Sequence, residues 1–116
     1  MRELTKAEIK QVKELLRKGI LRRHSEWLDE LRELLGQPYD NENGNEFDRS
    51  MMITDRSREF YKEAMRMEDY YRTRMLPFGM RQLYNDGYLT EEDISPLPDD
   101  IKDWMKNSLH FNEGFS

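Results

Sequence analysis

The sequence predicts an all-α protein, a long antiparallel two-helix hairpin (about 5–35 and 48–76) completed by short C-terminal helices into a small helical bundle. Three observations predict this class. Apolar residues recur at helical spacing through both long segments. Valine occurs once, which disfavours a β-sheet. Charged residues make up 37% of the chain, yet the net charge is only −5, a balance typical of helical surfaces. A chain of 116 residues fits one domain, 1–116.

The first helix is bounded by clear signals. Thr5 and Glu8 form a T-x-x-E capping box, and Gly36 supplies a stop. One apolar stripe keeps its phase across Gly19, which favours a single helix over two shorter ones. Gly19 then indicates a bend or a close contact with another helix. The stripe consists of Ile9, Val12, Leu16, Ile20, Trp27, Leu31 and Leu34.

A second apolar stripe lies beside the first in the later half of this helix. It consists of Leu21, Leu28 and Leu35, spaced seven residues apart. The combined apolar surface is wider than one partner helix can cover. We therefore expect a further partner to cover this end of the helix.

The second long helix follows a loop at 37–47 that is rich in Asn, Asp, Gly and Pro. Asp48 is the predicted N-cap, and Pro77 ends the helix. The residues predicted to face inward are Ile53, Phe60, Ala64, Met67, Tyr71 and Met75.

The stretch "MRMEDYYRTRM", at 65–75, permits two interpretations. Arginine with tyrosine is a combination that binds nucleic acids. However, Glu68 and Arg72 stand four residues apart in the favourable order, which is typical of a solvated helix face. Tyr61, Met65 and Tyr70 flank the inward face, where either a second partner or the C-terminal helices can pack.

The last forty residues predict shorter elements. Pro77 and Gly87 bound a short helix, and Pro96 limits the next segment to a turn. A final amphipathic helix is predicted at 99–111, with a frayed terminus at 112–116. The acidic residues of this segment are expected to pack where the basic start of the first helix meets the end of the second, close to Arg17, Arg72 and Arg74.

Several kinds of chemistry are excluded or disfavoured. The chain has no cysteine, so disulfides, thiol nucleophiles and cysteine-ligated zinc are impossible. Neither histidine completes a Glu-x-x-His metal motif, and no glycine-rich phosphate loop is present. We predict no catalytic residue, cofactor or metal, and therefore no enzyme. No apolar run could span a bilayer, so a cytoplasmic protein without membrane contact is expected, of the kind found among bacterial and phage accessory proteins.

The predicted function is protein–protein interaction, as a non-enzymatic adaptor or regulatory accessory protein, with a homodimer as one form. The candidate partner-binding residues are Leu21, Trp27, Leu28, Leu35, Tyr61, Met65 and Tyr70.

The alternative is a nucleic-acid-associated protein that uses the basic first helix. Residues 1–23 carry eight basic and three acidic side chains, a net charge of +5. Its candidate residues are Arg17, Lys18, Arg22 and Arg23. The pI of about 5.1 makes nucleic acid the less favoured partner.

Overall fold

The computed structural model describes the backbone of residues 2–38 and 44–113, and the side chains of 2–38 and 44–106. The described chain is helical, which confirms the predicted all-α class. Two 3₁₀ turns, Asp69–Tyr71 and Thr73–Met75, connect the second helix to the third. The α-helices are α1 (Lys6–Gly36), α2 (Glu46–Glu68), α3 (Leu76–Asn85), α4 (Glu91–Ile94) and α5 (Asp99–Glu113).

Helix α1 is continuous, as predicted. The Thr5 hydroxyl accepts a hydrogen bond from the Glu8 amide at 3.1 Å, and the Glu8 carboxylate accepts one from the Thr5 amide at 2.9 Å. Gly19 is buried within the helix. A Cβ atom there would lie 3.0 Å from Cδ1 of Leu83, so Gly19 marks a close helix contact.

Helix α2 runs antiparallel to α1 and forms the predicted hairpin. Arg56 on α2 pairs with Glu30 on α1, and Glu63 pairs with Arg23, so the partner number falls as the residue number rises. In antiparallel neighbours, the residue numbers of successive contacting pairs run in opposite directions and add up to nearly the same value.

The start of α2 differs slightly from the prediction. Asn45 is the N-cap, and Asp48 acts as the third residue of a capping box by accepting from the Asn45 amide. The helix therefore begins at Glu46, and the connecting segment is shorter than the predicted 37–47. Residues 39–43 of that segment lie outside the described residues.

The predicted end of the second helix, at 76, is wrong, because α2 ends at Glu68. Arg72 has extended backbone angles (φ −67°, ψ 135°) that redirect the chain. After this break, Leu76 and Met80 of α3 are fully buried. The hydrophobic free energy of these buried side chains offsets the helical hydrogen bonds that are lost at the break. Met75, predicted to face inward, is 37% exposed instead.

The core surrounds the first half of α1. Helices α3, α4 and α5, with the short segments that join them, supply most of its side chains, whereas the second half of α1 packs with α2 as an arm. The molecule is accordingly elongated, with extents of 55 × 31 × 24 Å. The fully buried residues are Val12, Leu16, Leu76, Met80, Leu83, Ile94, Ile101 and Met105.

The C-terminal segment contacts basic residues of α1 and Arg2 before it, whereas Arg72 at the end of the predicted second helix pairs with Asp69 instead. Asp93 contacts Lys18 and Arg22, and Asp100 contacts Arg2 at 2.6 Å. Helix α5 continues through residue 113, so the predicted frayed end at 112–116 is helical in its first two residues. Residues 114–116 lie outside the described residues.

Candidate functional site

Aromatic packing joins the two helices of the arm. The Trp27 ring stacks on Phe60 with centroids 5.2 Å apart and an interplanar angle of 16°. His24 contacts the same ring edge-on at 5.1 Å. Trp27 is only 9% exposed. This predicted partner-binding residue therefore packs inside the hairpin.

One side of the hairpin is polar and closed by ion pairs. The Arg23 guanidinium donates two hydrogen bonds to Glu63, at 3.0 and 2.8 Å. Arg56 donates to Glu30 farther along the arm. The hydrogen bond with Glu63 raises the pKa of Arg23. These side chains tie α1 to α2 along one edge.

The opposite side of α1 carries exposed leucines. Successive helical residues turn by about 100°, so residues two apart point about 160° away from each other. Leu21 stands two residues before Arg23, and Leu28 two before Glu30, so both leucines lie opposite the ion pairs. Leu21, Leu28 and Leu35 are 54%, 57% and 62% exposed.

Helix α2 adds to the same side of the hairpin. A groove of about 290 Å³ joins Leu35 to Ile53 and Thr54 of α2. Tyr61 stands seven residues after Thr54, so it projects toward the same side. Tyr61 is 63% exposed, and Met65, one turn later, is 47% exposed. We call Leu21, Leu28, Leu35, Tyr61 and Met65 the apolar face.

Tyr70 packs within the fold. A Cβ atom on Gly79 would lie 2.5 Å from Cβ and Cγ of Tyr70, so the tyrosine rests directly on the α3 backbone. Loss of solvent around the half-buried hydroxyl raises its pKa. Of the seven candidate partner-binding residues, Trp27 and Tyr70 thus pack within the fold, and the other five are exposed to solvent.

The basic candidates are mostly engaged within the chain. Asp93 accepts hydrogen bonds from Lys18 at 2.8 Å and Arg22 at 2.5 Å. The bond from Arg22, followed by that from Lys18, holds the pKa of Asp93 below its usual range. Arg23 is held by Glu63. Arg17 is exposed and makes no ion pair with a described residue.

A second cavity, of about 300 Å³, lies where α1, α2 and α3 meet. Some of its polar groups bind one another: Gln82 donates to Asp86 at 3.0 Å, and Arg23 donates to Glu63. The Tyr88 hydroxyl donates to Glu26 at 2.8 Å, and burial together with this bond raises its pKa to about 12. Among the side chains of residues 2–38 and 44–106, no cluster of three or more acidic or histidine residues could hold a metal ion.

Two structural side chains were not singled out by sequence reasoning. Asp93 was expected only as one member of the acidic segment. Thr90 three residues earlier is a capping-box signal that could have marked it. Arg49, 3% exposed, donates to the carbonyl groups of Leu34 and Pro38 at the end of α1. No local pattern marks Arg49, because its acceptors come from another helix.

The fold and this surface define a small all-α hairpin protein with an exposed apolar face. Comparisons found no match to any family model, curated protein or solved structure. Among the described helices, none has the length and apolarity required to cross a bilayer.

Proposed function

We propose that this protein acts through protein–protein interaction, and that the apolar face is its contact surface. The observation that carries the proposal is the asymmetry of the hairpin. Ion pairs close one side of the α1–α2 seam, whereas Leu21, Leu28 and Leu35 line the other side and stay exposed. Contiguous exposed apolar side chains bounded by polar ones are typical of interaction sites.

The energy available from this face suits a protein partner. Burying the remaining exposed half of each of five large side chains is worth about 1 kcal/mol per residue. The total of roughly 5 kcal/mol only matches the lower end of the entropy cost of association, about 4–15 kcal/mol, so the partner must bury an apolar surface of its own. A helix laid along the leucines would meet them at each second turn, as in helix-in-groove recognition.

Other roles have less support. Of the four candidate nucleic-acid-binding residues, Lys18 and Arg22 are bound to Asp93 and Arg23 to Glu63, so only Arg17 is left without an ion pair to a described residue. We propose a non-enzymatic role because the polar groups of the cavity at Gln82 and Asp86 bind each other. A cytoplasmic location stays a prediction, in keeping with a chain that has no cysteine to form disulfides.

The test compares binding by the native chain with binding by a face variant. Leu28→Glu/Leu35→Glu changes two exposed side chains, and Phe78→Glu changes a comparably exposed residue on α3 as a control. Partners are identified by affinity capture and mass spectrometry, and each is then reconstituted from purified protein. We expect the face variant to lose binding and the control to retain it. The proposal fails if every reconstituted interaction, including self-association, is unaffected by the face variant.

A further inference from the structure

The leucine stripe of α1 continues toward the N-terminus as a basic stripe. Lys10, Lys13 and Arg17 precede Leu21 at the three- and four-residue spacing that keeps side chains on one face. All three are exposed, and none makes an ion pair with a described residue. One face of α1 is therefore basic in its first half and apolar in its second half.

The far end of the arm is acidic. Glu46 lines the groove beside Leu35, and Asp48 is exposed in the same first turn of α2. Residues 24–55 carry two basic and nine acidic side chains, a net charge of −7, against +5 for residues 1–23. Basic side chains thus precede Leu21 on α1, and the acidic Glu46 and Asp48 lie beyond Leu35, where the guanidinium of Arg49 is turned to the carbonyl groups of Leu34 and Pro38.

We propose that the partner of the apolar face is a second copy of this chain, with the two α1 helices antiparallel and related by a two-fold axis near Leu28. This inference rests on the proposed function. Leu21 and Leu35 are each seven residues, roughly 10 Å, from Leu28. The axis therefore places Leu21 of one copy beside Leu35 of the second copy, and both leucine stripes are buried at once.

Charge complementarity selects this arrangement. Arg17 lies one turn before Leu21, so in the antiparallel pair it reaches the acidic start of α2 in the second copy, beyond Leu35. The two-fold axis repeats this contact at the other end. A parallel pair would instead place the basic stripes together and the acidic arm ends together, which like-charge repulsion disfavours. The two hairpins would form a four-helix arrangement.

The oligomeric state is measured first, by light scattering with size exclusion at roughly 10–100 μM, a range that detects micromolar dimers. We expect twice the chain mass of 14.2 kDa for the native protein. Leu28→Glu places a carboxylate from each copy face to face at the two-fold axis. The dimer dissociation constant should therefore rise by about 100-fold or more. Phe78→Glu is the matched control and should remain dimeric. Circular dichroism verifies that both variants are folded.

Orientation is measured by cross-linking, since the chain has no cysteine of its own. Leu21→Cys mixed with Leu35→Cys should give a disulfide-linked dimer on mild oxidation, while each variant alone should give little. Self-linking of Leu21→Cys would show a parallel pair and overturn the arrangement. A charge-reversed variant, K10E/K13E/R17E, should weaken association, and added salt should weaken the native dimer.

The outcomes separate the two proposals. A monomeric native chain whose apolar face binds a different purified protein would overturn the second-copy inference and leave the proposed function standing. A dimer that survives Leu28→Glu would place the interface elsewhere and overturn the inference. A native chain that neither self-associates nor binds any partner through the apolar face would refute both proposals.

Discussion

The same substitution, glycine to alanine, should have three different effects on stability at three helical positions of this chain. Alanine is favoured over glycine within a helix by up to about 1 kcal/mol, so the intrinsic gain is similar at each position. The surroundings of the new Cβ atom differ. At Gly36 no heavy atom lies within 4 Å. Gly36→Ala should therefore raise the free energy of unfolding by about 0.5 kcal/mol, somewhat less than the full gain because the position ends the helix.

The two buried glycines are progressively more crowded. At Gly19 the nearest atom is Cδ1 of Leu83 at 3.0 Å, the far end of a flexible side chain, so a small shift should nearly cancel the intrinsic gain. At Gly79 the contacts are Cβ and Cγ of Tyr70 at 2.5 Å. These atoms cannot move without the backbone of the 3₁₀ turn. Overpacking at this position should cost about 3 kcal/mol, and the higher helix propensity of alanine returns about 1 kcal/mol. Gly79→Ala should therefore be about 2 kcal/mol less stable than the native chain.

Urea and thermal unfolding followed by circular dichroism measure this series. For a chain of this length 1 kcal/mol corresponds to about 4–6 °C in Tm, so Gly79→Ala should melt roughly 10 °C below native and Gly36→Ala slightly above it. The variants are compared at one protein concentration, because dimerisation raises Tm by mass action. Equal stability of Gly79→Ala and the native chain would refute the packing of Tyr70 against α3.

Three further predictions concern polar contacts. Asp93→Ala should cost about 2–3 kcal/mol, because the carboxylate that accepts from the Thr90 amide and hydroxyl and from Lys18 and Arg22 is lost. Urea unfolding measures this cost, and a loss under about 0.5 kcal/mol would contradict the role of this carboxylate. Because the folded pKa of Asp93 lies below the ordinary 3.8, its contribution is present above about pH 4 and is lost as pH falls below that value. Native protein should therefore lose more stability than Asp93→Ala between about pH 5 and pH 2, and parallel pH profiles would argue against this assignment. Arg49→Ala should cost about 2–3 kcal/mol, since it leaves the Leu34 carbonyl without its guanidinium donor; a hydrogen-exchange comparison should show the loss concentrated where α1 meets α2.

Local sequence signals were reliable where short-range interactions decide the structure. The capping box at Thr5 and Glu8 fixed the start of α1, and the constant phase of its apolar stripe established continuity through Gly19. Gly87, with a φ of +88°, ends α3 where predicted because glycine adopts this left-handed conformation without a steric cost. These features depend on residues within about one turn of each other.

The candidate surface was only partly predictable. Trp27 and Leu28 are adjacent, and both lie on the wide apolar side of α1. Periodicity cannot tell which of them meets α2. The stacking of Trp27 on Phe60 decided that Trp27 is buried and Leu28 exposed. A helix's own pattern reports how much of it is apolar, whereas the position of its neighbours determines which part is covered.

The sequence by itself determined the all-α class, the first helix with its cap and stop, and the existence of more apolar surface than two helices can bury. Only the tertiary structure decided that the second helix ends at Glu68, that Asp93 joins α4 to α1, and that the leucine stripe remains open. The physical reason is the separation along the chain between the residues that interact. Caps, turns and periodicity act between near neighbours in the chain, whereas a helix break that buries Leu76 and Met80 is stabilised by contacts with residues some sixty positions away, such as Val12 and Leu16.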